Sequence, residues 1–253
     1  MIRKGSRART RMNRKGVQME KHRRVFLKLS GEALADKEKG GYDLAVVRDI
    51  ARQVRGAHVE GAEIGIVIGG GNYWRGRTGT EIDRTKSDQI GMLATVMNCI
   101  YVSEVFRSEG LSTEIFTPFQ VGTMTRMFSK DEANRAFSEG KVLFFAGGTG
   151  HPYFSTDTGI VLRAVEMEAD EVLLAKNVDG VYDSDPALNP EAKRYDVVSI
   201  HEVVAKKLNV IDHTASIMAE DNHVSFLVFD LRQENSIAKA IKGNIDGTHV
   251  VSE

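Results

Sequence analysis

The sequence predicts an α/β fold, a three-layer αβα sandwich around a mostly parallel sheet. Three observations predict it. Short β-branched apolar runs alternate with amphipathic helical stretches, the pattern of parallel strands covered by helices on both faces. The run Ile64-Gly65-Ile66-Val67-Ile68 stops on Gly69-Gly70-Gly71, so a buried strand ends on backbone that a ligand can approach closely. A second run, Val142-Leu143-Phe144-Phe145, ends the same way at Ala146-Gly147-Gly148.

Taken in order, the chain opens on a basic stretch. Of its 253 residues, the first 24 hold ten basic side chains against one acid, Glu20. Without an apolar h-region this does not read as a secretory signal. Residues 1–23 are expected to form a disordered basic extension, and residues 24–253 one domain. A nucleic-acid-binding arm, an organellar transit peptide and a translation start at Met12 or Met19 are three readings of the stretch. An extension without a function is favoured, because Val25 begins the first strand six residues after Met19.

Val25-Phe26-Leu27-Lys28-Leu29 reads as a strand with one lysine in apolar company, followed by Ser30-Gly31-Glu32. Parallel sheets bind ligands outside the carboxyl ends of their strands, where Lys28 falls. A snorkelling surface lysine is the plainer reading. Residues 35–42 read as a loop. Asp43 suits the cap of a helix with Leu44, Val47, Ile50, Ala51 and Val54 at helical spacing, closed at Gly61. After the glycine-rich strand comes a helix from about Ser87 to Ser108. Asp88 then lies in its first turn, either complementing the helix dipole or accepting a hydrogen bond from a ligand hydroxyl.

Strands at about 113–116 and 141–145 flank a helix opened by the capping box Ser129-Lys130-Asp131-Glu132. Beyond the second glycine-rich exit, Ser155, Thr156 and Asp157 suit the cap of a helix at about 157–168. A strand at about 171–175 leads into an Asp179-Gly180 turn and the Pro186 and Pro190 loops. Ser199-Ile200-His201-Glu202 caps a short helix. A helix at about 213–221, a strand at 224–229, a helix at 235–242 and a strand at 248–251 complete the chain.

Composition narrows the function. The formal net charge is −1, so the body has no global nucleic-acid footprint. Cys99 is the one cysteine, a core residue by its neighbours, which excludes an intramolecular disulfide and suits a reducing cytosol. No uninterrupted apolar stretch approaches the roughly 20 residues that span a bilayer. The P-loop pattern is absent, and Trp74 stands where a dinucleotide fingerprint needs glycine. His201-Glu202 lacks the second histidine of a zincin helix, no G-x-S-x-G elbow occurs, and the histidines lack metal-ligand spacing. Two glycine-rich strand exits, Lys28, Arg75 with its fork of donors, and several carboxylates remain. That inventory suits phosphoryl transfer, in which the protein mainly positions reactants and neutralises charge.

Five stretches together resemble the bacterial UMP kinases of the amino-acid kinase superfamily. They are Lys28-Leu29-Ser30-Gly31-Glu32, Gly69-Gly70-Gly71-Asn72 through Arg75-Gly76, Asp88 through Asn98, Gly148-Thr149-Gly150 through Asp157, and Val178-Asp179-Gly180-Val181-Tyr182 through Asp185-Pro186. The resemblance runs over about residues 24–252, and the Gly91–Asn98 run separates it from acetylglutamate, aspartate and carbamate kinases.

It implies transfer of the ATP γ-phosphoryl group to UMP with Mg²⁺, in the cytoplasm, as part of pyrimidine biosynthesis. By position, Lys28, Leu29, Ser30 and Gly31 would hold the donor phosphates, with Gly71 and Arg75 also serving ATP. Gly70 would contact the acceptor phosphate and Asp88 the UMP ribose. Thr149, Gly150, His151, Pro152, Tyr153, Phe154, Ser155 and Thr156 would wrap the acceptor nucleotide. Lys28, Asp157 and Arg75 would be the catalytic set, with Asp157 organising the lysine and no protein-held metal. Lys176 or Asn177, with Tyr182 and Asp185, would frame the adenosine. The relatives are typically hexamers activated by GTP and inhibited by UTP, so a homohexamer with GTP and UTP effectors is implied. His151 departs from the asparagine often found there. Two other readings stand beside this one: the same fold with an amino-acid or carbamate acceptor, and a nucleic-acid-binding protein using the basic stretch.

Overall fold

The computed structural model describes residues 23–36, 40–74, 82–208 and 210–252. Arg75, Gly76 and residues 1–22 of the basic extension therefore lie outside the described residues. Strands β1 (Arg24–Leu29), β2 (Glu63–Ile68), β3 (Thr113–Thr117), β5 (Val142–Phe145), β6 (Glu171–Lys176), β10 (Phe226–Asp230) and β11 (Thr248–Val251) follow the apolar runs. Strands β4 (Arg126–Met127), β7 (Val181–Tyr182), β8 (Arg194–Tyr195) and β9 (Val197–Ser199) are additions to the sequence reading. Nine of them form one sheet in the order β4-β3-β5-β2-β1-β6-β10-β11-β9, while β7 and β8 pair apart as a small antiparallel ribbon. Within the large sheet every pairing is parallel except β10 with β11.

Among the described residues seven α-helices cover the sheet: α1 (Leu44–Val59), α2 (Arg84–Ser108), α3 (Lys130–Ser138), α4 (Thr156–Glu166), α5 (Ile200–Ala205), α6 (His213–Asp221) and α7 (Ser236–Lys242). Two apolar clusters form on opposite faces. One joins Val47 and Val54 of α1, Val102 and Phe106 of α2, and Ile237 of α7 to Val25, Leu27 and Leu29 of β1. The other joins Phe137 of α3, Ile160 of α4, Val203 of α5 and Ala215 of α6 to Phe26. Successive strand side chains alternate between faces. Lys28 therefore shares the face of Phe26, beneath α4. Along β6, Val172 and Leu174 join that same cluster, which puts Lys176 beside it and Asn177 on the other side.

Several expectations change in detail. Helix α2 begins a turn earlier than expected, because Asp83 accepts from the Lys86 amide and caps it. Asp88 thus lies in the second turn, where the dipole counts for less. Ser129 occupies the N-cap of α3 but makes no capping bond. Glu132, the far end of the expected box, is drawn instead to Arg135 at 3.0 Å and Arg126 at 3.6 Å. The loop at 35–42 closes through an antiparallel bridge between Ala35 and Tyr42. By length and composition helix α2 is apolar enough to span a bilayer, although its uncharged run is bounded by Asp88 and Glu104. Half of its most apolar window is buried in the fold, with Cys99, Val102 and Phe106 in the core, so it serves as a core helix here.

Candidate active site

Three backbone turns meet at the carboxyl ends of the central strands. Leu29 and Ile68 are register partners, so the chain leaves β1 and β2 side by side. The Gly69 amide donates to Leu29 O at 3.0 Å. A Cβ on Gly31 would lie 2.3 Å from Gly69 O and from Asn72 Oδ1, so only glycine fits this approach. The third turn follows β5, where the Gly147 amide donates to Thr95 Oγ1 of α2 at 2.8 Å. Parallel strands deliver loops of this kind to one edge, and clustered backbone amides there favour anions.

Lys28 forms an ion pair with Asp157 in the first turn of α4, with both side chains largely buried. Asp157 Oδ1 is buried without a hydrogen-bond donor, and the Lys28 ammonium is its compensating charge. The Lys176 ammonium reaches the same neighbourhood and donates to Val210 O. Burial lowers the Lys176 pKa, Asp157 pulls it back up, and Lys28 pushes it down again. The Lys28 and Lys176 ammonium groups thus both interact with one carboxylate, Asp157, at the strand ends.

The loop into α4 is held from both sides. Ser155 caps the helix, accepting from the Asp157 amide at 3.0 Å, and its hydroxyl donates to Asp212. Asp212 also accepts from the Thr158 hydroxyl and caps α6 through the Ala215 amide. On the α2 side, Asp88 Oδ2 accepts from the Tyr153 amide and from Arg84 Nε, each at 2.8 Å. Tyr153 has a left-handed backbone, φ 73°, and its ring lies 5.3 Å from the Arg84 guanidinium. Between these pieces is a cleft of about 140 Å³ lined by Gly70, Asp88, Thr95, Gly148, Phe154, Ser155 and Thr156 among others.

The structure therefore brings together Lys28, Asp157, Lys176, Gly31, Gly70, Asp88 and the Thr149–Thr156 loop. Thr149 and His151 bond to each other through the Thr149 hydroxyl, and His151 is exposed. Tyr182 donates to Asp179 at 2.9 Å, a bond that raises its pKa. Asp185 accepts from the Ala187 amide within its own turn. Asn177 lies apart, on a separate cleft of about 800 Å³ between the Glu32 turn, α1 and Arg232. Sequence reasoning missed Thr95, Arg84 and Asp212. The bonds of Asp212 to Ser155 and Thr158 depend on α4 and α6 packing together.

The amino acid kinase family model matches residues 23–230. Among solved structures, the UMP kinase of Ureaplasma parvum superposes with a TM-score of 0.87 at 31% identity, covering 91% of this chain and 99% of that one. The UMP kinase of Bacillus anthracis gives 0.87 at 33% identity, with 92% and 97% covered. The uridylate kinase of Archaeoglobus fulgidus gives 0.69 at 26% identity, with 90% and 99% covered.

Proposed function

Because the chain belongs to the amino acid kinase family and is a phosphotransferase, we propose that it transfers the γ-phosphoryl group of ATP to UMP, giving UDP and ADP. The observation that carries the transfer is the Lys28–Asp157 pair at the meeting point of the glycine turns. The choice of acceptor rests on the likeness to UMP kinases at 31% and 33% identity over more than nine-tenths of the chain.

The chemistry fits these residues. A phosphate monoester has a second pKa of about 6, so the attacking oxygen of UMP is already anionic near neutral pH. No general base is needed. The obstacle is repulsion between two polyanions, and fixed cations and amides aimed at the transferring group lower it. Lys28 supplies the charge, Asp157 fixes its direction, and the Leu29, Ser30, Gly31 and Gly71 backbone holds the donor phosphates. Arg75, outside the described residues, is assigned to the donor as well. Gly70 takes the acceptor phosphate, Asp88 the ribose, and Thr149–Thr156 the remainder of UMP. Lys176 is preferred to Asn177 for the donor nucleotide, since it shares the Lys28 side of the sheet; Tyr182 and Asp185 complete that site.

Mg²⁺ is proposed to arrive with ATP. Among the described residues no group of three His, Cys, Asp or Glu side chains is placed to hold a metal. Held mainly by phosphate oxygens and water, such an ion would spread the charge on the β- and γ-phosphates.

The reading extends to a cytoplasmic enzyme of pyrimidine biosynthesis, a single domain over 24–253, and a homohexamer with GTP and UTP as effectors. Self-association has support in α2, where Ile90, Leu93, Met97 and Ile100 form an exposed apolar stripe, 41%, 51%, 48% and 36% accessible. ADP release measured with UMP, CMP, acetylglutamate and aspartate as acceptors tests the reading. Turnover with UMP alone supports it, and turnover with an amino acid in place of UMP overturns it.

A further inference from the structure

We propose that Asn98 is a positioning residue for the acceptor phosphate, acting through the Gly69–Gly70 peptide; the inference rests on the UMP kinase reading above. Asn98 sits in the middle of α2 and is fully buried. A buried amide inside a helix is costly unless its donors and acceptors are all satisfied. Here they are. Nδ2 donates to Gly69 O at 2.7 Å and to Asn72 Oδ1 at 2.8 Å. Oδ1 accepts from Asn72 Nδ2 at 3.0 Å and from the Tyr42 hydroxyl at 2.7 Å. The reciprocal pair with Asn72 fixes both amides, since turning Asn98 over would set its oxygen against Gly69 O. Tyr42 is itself held by stacking on Tyr101, with ring centroids 3.9 Å apart and planes within 6°.

The bond to Gly69 O has a directional consequence. In a trans peptide the C=O of one residue and the N–H of the next point in opposite directions. Anchoring Gly69 O against Asn98 therefore turns the Gly70 N–H away from α2's interior. Gly70 lines the small cleft that Asp88 and Thr156 also line. Its own Cβ position would be 2.7 Å from Gly91 O, so the loop is pressed onto α2 about two turns before Asn98. Helix and loop are thus locked at two points, and the amide assigned to the acceptor phosphate takes its aim from one side chain.

The test compares wild type with Asn98→Asp, which keeps the shape and changes the proton count. Protonated, the carboxyl can still donate to Gly69 O. Ionised, it sets negative oxygens against Gly69 O and Asn72 Oδ1 and releases the peptide. Burial raises a carboxyl pKa, so this change falls above the usual carboxylate range. The expected result is a kcat/KM for UMP, relative to wild type at each pH, that falls at least about tenfold between about pH 6 and about pH 9. The KM for ATP should stay within about threefold, and circular dichroism should show a folded protein throughout. Tyr42→Phe provides a variant that leaves the fold intact: losing one bond to Oδ1 should raise the UMP KM by about threefold to tenfold with ATP unaffected. Wild-type UMP kinetics in either folded variant overturn the inference, as does a pH-independent loss that affects both substrates equally. Failure of wild type to phosphorylate UMP would instead remove the reading beneath it.

Discussion

The Lys28 ammonium pairs with Asp157 across the gap between the end of β1 and the start of α4, in a setting largely closed to water. Strand alternation puts Lys28 on the α4 face, and Ser155 fixes the first turn of α4 by accepting from the Asp157 amide. Neither position depends on a flexible loop. Lys28→Ala should therefore lower kcat by roughly 10²- to 10³-fold, the scale for removing one preorganised transition-state contact. UMP affinity, measured by titration calorimetry, should change by less than about threefold. A variant that keeps most of its kcat would contradict the charge role.

Asp88 makes a different prediction, because it joins α2, through the Tyr153 amide, to the loop proposed to hold the acceptor. Asp88→Ala removes a carboxylate acceptor, and bonds to charged groups are worth about 1.5–3 kcal/mol. The UMP KM should rise about tenfold to a hundredfold while the ATP KM stays level. Equal effects on both substrates in steady-state kinetics would show that Asp88 supports the fold and not the acceptor.

The large strands and most helices were legible because each repeats an apolar period over a turn or more. Strands β4, β7 and β8 are two residues long and offer no period to read. The start of α2 was missed because Arg84, Thr85 and Lys86 bury no apolar face, so the pattern became visible only further along. In the site, Lys28 and Asp157 were nameable separately, the one by its place at a strand end and the other as a cap. Asn98 was not singled out, since a lone amide in an apolar helix shows its partners only when Gly69, Asn72 and Tyr42 are packed around it.

Cys99 gives a pH-dependent prediction. Burial pushes its thiol from the ordinary 9.0 up to about 12, against a smaller downward pull from a backbone hydrogen bond with Ile68. The folded pKa is the higher one, so the stabilisation is complete below the unfolded value and is lost as pH rises through the folded one. Between those values the unfolded chain gives up a proton that the folded chain keeps. Stability should fall there by up to about 1.4 kcal/mol per pH unit from this group. Urea unfolding of wild type and Cys99→Ala should show the variant with the flatter pH dependence, by about one proton. Parallel slopes would mean that the thiol titrates alike in both states.

The last prediction concerns the outer face of α2. Ile90, Leu93, Met97 and Ile100 are spaced symmetrically about Thr95, and Lys86 and Glu104 flank them at equal distances from it. Two copies of the helix crossing antiparallel about a twofold axis at Thr95 would bring Ile90 onto Ile100 and Leu93 onto Met97. They would also bring Lys86 onto Glu104, twice. A twofold contact is self-complementary in this way, and neighbouring ridges of this spacing pack well between helices. A second copy of the chain is thus the occupant that the stripe's own pattern fits, with charge complementarity at both ends. Leu93→Lys with Met97→Lys sets four like charges in the middle of that contact. Light scattering after gel filtration should show the wild type as an oligomer and the double variant as a smaller species. The far-UV spectrum should be unchanged, because both side chains are exposed in the single chain. An unaltered mass for the double variant would place the contact elsewhere. The opposite substitution, Lys86→Glu, should weaken association and do so less as salt is raised, since screening removes the new repulsion with Glu104 over about 8–10 Å.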